Sequence, residues 1–165
     1  MVDVNVLSSE WDIEMPELGW RAMRLRPKLG SAEFGASVYE LDPGGAVSPI
    51  HAHHGNEELL LVLSGRANLR TPDGARDLEP GAIAAFPRGV RGAHQIANTG
   101  EEPARVLIVS TVHLPDVTEL VTTGTIVIRT SDDVRATFPA GSAQDFTKLW
   151  RAAFEADRPY DPDRP

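Results

Sequence analysis

The chain has no cysteine. A disulfide framework and a thiolate metal site are therefore both excluded, and any metal must be held by nitrogen and oxygen. Basic residues are in deficit: 16 Lys and Arg stand against 24 Asp and Glu, a formal net charge of -8. That balance argues against a nucleic-acid partner or an anionic membrane surface, either of which would need clustered Lys and Arg. No apolar stretch approaches the length of a membrane span. The N-terminal MVDVNVLSSEWDIEM lacks a basic region followed by an apolar run, the pattern of a secretory signal. The expected compartment is the cytoplasm. There is no long-period repeat and no low-complexity block.

What is present is an ordinary globular composition, 41% hydrophobic and 24% charged over 165 residues. That length suits one domain able to bury a core without staples. From Arg21 onward, short runs of β-branched and apolar residues alternate with Gly, Pro and Asp. FGASVYEL gives way to DPGG, HAHHGNEELLLVL to SG, ANLR to TPDG, AIAAFP to RGVRG, HQIAN to TGEEP, and ARVLIVSTV to HLPD. Strands at this spacing with turn signals between them predict an all-β sandwich or barrel. In TPDG, Pro72 pre-sets its dihedral and Gly74 is free to take a positive one, so a hairpin is expected there. The LLLVL run is apolar on both faces and reads as a strand buried on both sides.

One helix is expected, over about 142–155. Ser142 is placed to cap it, with Asp145 in the first turn. Phe146, Leu149, Trp150, Ala153 and Phe154 then share one face. That stripe is expected to pack on the outside of the barrel or on a second subunit. The barrel core should span about 20–130, and the Pro- and charge-rich residues 156–165 should be a frayed tail.

The most informative segment is GGAVSPIHAHHGNEELLLVLSG. Residues two apart in a strand share a face, so His51 and His53 project together. Glu58 opens the next apolar run, and His94 opens HQIAN. Imidazoles and a carboxylate brought together from neighbouring strands would make a site for a divalent transition metal. Alternation turns Glu57, His54 and Gln95 to the other face. His113, just past ARVLIVSTV, reads as structural or exposed.

The spacing is more specific than that. Gly45, five residues, His51, one residue, His53, four residues, Glu58, six residues and Gly65 match the first signature motif of the cupin superfamily. Gly81, Pro87, Gly89, His94 and Asn98 resemble the second, except that four residues rather than two separate Gly89 from His94. The resemblance covers about residues 30 to 115 and is to the small single-domain cupins of conserved-barrel type. It implies a double-stranded β-helix, a jelly-roll barrel, here with a C-terminal amphipathic helix, whose mouth holds one divalent metal (Fe, Mn, Zn or Ni) on His51, His53, Glu58 and His94. Gly45 and Gly65 are then turn residues free to take a positive dihedral, and Asn98 satisfies turn backbone through its side chain.

Leu60, Val62 and Ile96, with Val47, are expected to line the barrel interior, an apolar wall suited to a small, partly hydrophobic ligand. Tyr39 and Arg91 are the polar candidates for pocket contacts; a core tyrosine and a solvated loop cation are the plainer readings of each. Three histidines and a glutamate leave open positions on an octahedral metal. The favoured expectation is a metal-dependent enzyme that oxidises a small organic molecule with dioxygen. A binding or sensing module without turnover, a metal-dependent isomerase or lyase, and a metal-bearing subunit of a larger complex are the alternatives, because fold does not choose among them. A homodimer is expected, since cupins commonly pair through their sheets. The segment around Trp11 and Trp20 offers apolar residues for that role, unless Trp20 caps its own barrel.

Overall fold

A computed structural model describes residues 3–131, 134–142 and 145–156. Its strands are β1 (Ile13–Met15), β2 (Trp20–Arg24), β3 (Phe34–Leu41), β4 (His51–His53), β5 (Glu58–Ser64), β6 (Ala67–Thr71), β7 (Gly74–Leu78), β8 (Ile83–Phe86), β9 (Gln95–Ala97), β10 (Ala104–Thr111), β11 (Asp116–Leu120), β12 (Thr125–Arg129) and β13 (Arg135–Phe138). Two short helices accompany them, α1 (Leu25–Leu29) and α2 (Phe146–Ala156). The pairings are antiparallel. One layer is a six-stranded sheet in the order β1-β2-β3-β10-β5-β8. Facing it are β13-β12-β11-β4 and β7-β6-β9, stitched together by bridges between His51 and His94 and between Ala46 and Ala97. The result is the jelly roll that the cupin resemblance implies.

The core lies between the layers. Leu41, Leu60, Val62, Leu69, Ile96 and Val106 are buried there, in one cluster that Trp20 and Tyr39 partly cover. Each such aliphatic side chain contributes about 1.5–3 kcal/mol by leaving water. Strand β5 shows how this core leads to the site. Glu58, Leu60 and Val62 share its inner face; the last two fill the barrel and Glu58 stands at the open end. The outer row differs from the two-sided burial expected of LLLVL: Leu59 is 39% exposed and Leu61 only half-buried. The N-terminal segment covers the sheet over Met23 and Val38 instead, with Val4, Val6 and Trp11 packed there. Arg105 ties that segment down. Its guanidinium donates to the carbonyls of Val6 and Ser8, pairs with Glu40 and lies 5.0 Å over the Trp11 ring. Trp11 and Trp20 thus serve their own barrel.

Two glycines act differently from one another. Gly65 has φ +69°, the left-handed conformation expected of it. Gly45 does not have a positive φ; it is required because a Cβ there would sit 2.0 Å from the Gly19 carbonyl oxygen. The TPDG hairpin forms as expected between β6 and β7. Asn98 is buried and satisfies its turn as expected: its Nδ2 donates to the Leu41 and Glu102 carbonyls, and its Oδ1 accepts from the Gly100 amide.

At the C-terminal end the helix exists but starts later than its expected cap. Asp145 caps it, its Oδ1 accepting from the Lys148 amide at 2.8 Å; Ser142 lies in the preceding turn, its amide bonded to the Pro139 carbonyl. Leu149 and Trp150 remain 48% and 58% exposed, so this part of the stripe is not buried against the barrel. The expected tail from 157 onward lies outside the described residues. Three strands, β11 to β13, follow the HLPD turn, the last of them beyond the expected end of the barrel core at about 130, and they carry much of the site.

Candidate metal centre

Each predicted ligand reaches the site by a separate local device. His51 and His53 are on one face of β4, with the buried Ala52 between them facing the opposite way. Glu58 is the first residue of β5 and points inward, while Glu57 is exposed. His94 is delivered by the lengthened loop. The two additional residues are absorbed by a single 3-10 turn over Val90–Gly92, and Gly92 packs so tightly that a Cβ would meet the Pro87 oxygen at 1.8 Å. The His94 ring then stacks on Phe86 with centroids 3.7 Å apart and planes 8° from parallel.

The imidazoles converge on one carboxylate oxygen. Glu58 Oε2 lies 3.2 Å from His94 Nε2, 3.6 Å from His53 Nε2 and 4.0 Å from His51 Nε2. His51, His53 and Glu58 have ligand atoms mutually within 4.8 Å and could hold a metal ion; His94 approaches that group through Glu58. Every ring is held by its other nitrogen. Nδ1 of His51 bonds the Pro49 carbonyl at 3.0 Å, with Ser48 Oγ at 3.1 Å. Nδ1 of His53 bonds Asp116 Oδ2 at 2.7 Å, and Nδ1 of His94 bonds the Gly92 carbonyl at 2.9 Å. Carbonyl and carboxylate oxygens only accept, so each Nδ1 carries the hydrogen and each neutral ring turns its Nε2 lone pair toward Glu58.

Three lone pairs facing a carboxylate repel one another unless cations or protons lie between them. The charges agree with that demand. Burial pushes the Glu58 carboxyl up, but the bond to His94 and the nearby imidazoles outweigh it, and its pKa lies below the ordinary value. Burial holds the His51 imidazole below its ordinary value, and the neighbouring rings of His94 and His53 push the same way. At His53 burial also pulls downward, but the bond to Asp116 and the charge of Glu58 prevail and the pKa is raised. The donor set of imidazole nitrogens and a carboxylate, each imidazole oriented by an acceptor, fits a divalent transition metal.

The Cupin domain model matches residues 37–110, the stretch that carries both motifs. Over those residues, a little under half of its length, the chain is similar to the cupin domain. Solved structures agree. A sugar phosphate isomerase from a cupin superfamily, of Silicibacter pomeroyi, is 28% identical, with a TM-score of 0.71 over 78% of this chain and 82% of its own. A Cupin 2 conserved barrel domain protein from Salinispora arenicola is 25% identical, with a TM-score of 0.52 over 67% and 88%. The polyketide cyclase RemF from Streptomyces resistomycificus is 26% identical, with a TM-score of 0.51 over 59% and 69%. No curated protein matches the sequence.

The site opens into a cavity of about 660 Å³. Tyr39 and Ile96 line it, as does Val47. Leu60 and Val62 do not; they lie deeper on the same strand face and are consumed by the core. Arg91 is exposed on the 3-10 turn and is not part of the wall. The wall is mixed: Val47 and Ile96 give it the apolar part expected, joined by Ile13, Ile108 and Val127, and polar groups share it. Hydroxyls and amides of Ser37, Ser48, Asn56, Ser110 and Thr111 face it, and so do four arginines, Arg24, Arg26, Arg129 and Arg135. Of the residues that sequence reasoning missed, Ser48, Thr118 and Asp116 are bonded through their side chains to predicted ligands, and Asp116 is the charged one. It is 1% exposed, opens β11 and pairs in register with Arg129. The alternating β-branched TIVIR and the VRATF after it carry a strand signal for this region, but nothing in them says which residues face the metal. His113 is exposed and bonds Arg88, and the exposed His54 pairs with Glu119.

Proposed function

We propose that this protein is a metal-dependent enzyme acting on a small hydroxylated carbonyl compound, by isomerisation, with the metal held by His51, His53, Glu58 and His94. The observation that carries the reading is the convergence of the three Nε2 atoms on Glu58 Oε2 at the wall of a cavity lined by hydroxyl and amide groups. A divalent metal bound there supplies Lewis acidity to a substrate oxygen. The protein's part is orientation and proton control. Pro49, Asp116 and Gly92 fix the rings. Burial, and then the charge of Glu58, raises the Tyr39 hydroxyl above its ordinary pKa, so it stays protonated and can donate a hydrogen bond to a substrate oxygen. The likeness to the sugar phosphate isomerase supports this class of reaction.

A second reading is oxidation of the substrate by dioxygen. The donor set favours it, because three imidazoles and one carboxylate suit iron and leave positions open. One assay separates the two. Protein loaded in turn with Mn²⁺, Fe²⁺, Zn²⁺ and Ni²⁺ is incubated with aldose–ketose pairs, with and without a phosphate, and with hydroxy acids. Products are followed by NMR and oxygen by electrode. Interconversion without oxygen uptake is the expected result. Uptake coupled to product moves the assignment to oxidation, and silence with every metal ends the enzymatic proposal.

A further inference from the structure

The cavity holds an excess of positive charge that the metal centre does not use. The chain as a whole carries a net charge of -8, yet four arginines share the cavity wall. The carboxylates of that wall are already engaged: Glu58 faces the three imidazoles and Asp116 bonds His53. Among the described residues, no carboxylate pairs with Arg24, Arg129 or Arg135. Arg129 and Arg135 are also direct cross-strand partners on β12 and β13, so their side chains leave the sheet on the same face. Like charges placed opposite each other in this way destabilise a strand pair. The arrangement becomes favourable when an anion lies between the two guanidinium forks.

We propose that Arg129 and Arg135, with Arg24 at the cavity wall, form the subsite for a phosphate-like dianion carried by the substrate of the metal centre. Two arginine forks present more donors than one carboxylate can accept, whereas a phosphate monoester offers three peripheral oxygens and a double charge. The register fixes where that group sits. The order runs β4, β11, β12, β13, with His53 opposite Thr118 and Asp116 opposite Arg129. The arginine pair therefore stands two to three strand spacings from the histidine strand, on the order of 10 Å. A substrate with its reacting oxygen at the metal and its phosphate a few carbons away spans that gap. The basic wall also overcomes, locally, the repulsion that so acidic a protein exerts on an anion.

The inference rests on the metal-centred reading above, and the test keeps the two apart. Inorganic phosphate is titrated calorimetrically into the purified protein and into R129Q, R135Q and the double variant at fixed ionic strength, and the same samples are assayed for metal. Wild type is expected to bind one phosphate. Each single variant should bind at least about tenfold more weakly, the loss of one charge-assisted pair, and the double variant should not bind, with metal content unchanged. Both single variants should melt no lower than wild type in phosphate-free buffer, because each removes one of two like charges paired across β12 and β13. No binding by wild type, or binding that survives in the double variant, overturns the subsite. Arginine-dependent phosphate binding in a protein that holds no metal would leave the subsite standing and remove the metal reading instead.

Discussion

Replacing Asp116 by Asn tests how the centre is held without touching a ligand. Asp116 Oδ2 accepts from His53 Nδ1 at 2.7 Å and the residue is 1% exposed. The amide keeps the shape and an accepting oxygen but loses the charge. Loss of such a partner behind a ligating histidine weakens metal affinity by about 10–100-fold, equivalent to about 1.4–2.8 kcal/mol. The structure places the single substitution near the lower end. Thr118 Oγ1 lies 3.2 Å from the same Nδ1, so the ring keeps a second acceptor and its orientation. Removing both, in D116N/T118V, should move the loss toward the upper end. Competition titration of Zn²⁺ against a chelator measures it, and an unchanged Kd in D116N would refute the claim that the carboxylate supports His53 as a ligand.

The same variant makes a prediction for the metal-stripped protein, with the signs fixed by the two shifts. His53 is raised from 6.5, so its stabilising contribution is fully present below 6.5 and is lost as pH rises through its folded value. Asp116 is lowered from 3.8, because the bond to His53 overcomes the upward push of burial. Its contribution is present above 3.8 and is lost as pH falls through its folded value. The pair therefore contributes most between 3.8 and 6.5. The urea midpoint of stripped wild type should exceed that of stripped D116N most clearly at around pH 5 and converge with it in mildly alkaline buffer. A gap that widens above neutrality would contradict the assignment.

Other outcomes follow from the same geometry. His51→Ala and His53→Ala should each abolish stoichiometric metal by elemental analysis while the far-ultraviolet dichroism of the barrel persists; full metal content in both would remove them from the site. Leu60→Ala, at a fully buried position, should cost about 2–5 kcal/mol in chemical denaturation, whereas Leu59→Ala, two-fifths exposed on the outer face of the same strand, should cost well below that; equal costs would mean that the outer face is covered. Gly45→Ala should lower the melting temperature sharply despite adding one methyl group, because its Cβ has no space beside the Gly19 carbonyl.

The cluster of His51, His53 and Glu58 and the barrel were legible because both are written locally. His51 and His53 are two residues apart on one strand, Glu58 begins the next, and the glycines that punctuate them recur at fixed distances. The all-β class follows from the same alternation of short strands and turns, and the jelly roll from the family resemblance of the motifs. The cavity wall was not legible in that way. Its basic side comes from β2, α1, β12 and β13, strands and a helix that meet only through long-range register, and an arginine on a strand looks the same in sequence whether it faces solvent or a cavity. Leu60 and Val62 show the complementary failure. Their inward phase is correct, but phase does not give depth, and the core occupies that depth before the cavity begins. In sequence the last helix reads as starting one turn early: Ser142 reads as its cap and Asp145 as a first-turn residue, whereas Asp145 accepts from the Lys148 amide and caps it.

The three supports behind the histidines also differ in how they can vary. Pro49 and Gly92 hold His51 and His94 through backbone carbonyls, which a side-chain substitution leaves in place. His51 also meets the Ser48 hydroxyl and His53 the Thr118 hydroxyl, but only His53 is held by a charged side chain, Asp116. A substitution of Asp116 thus removes a charge from behind His53 while the four site residues and the backbone remain intact. Asp116 is also the register partner of Arg129, one strand from Arg135. A change at 116 therefore acts on both halves of the cavity at once. It weakens the support of the metal on one side and removes the nearest negative charge from the arginine pair on the other. Metal affinity and phosphate affinity should accordingly move in opposite directions in D116N, the first down and the second up; if both fall together, the two halves are not electrostatically independent sites sharing one aspartate but a single centre that fails as a unit.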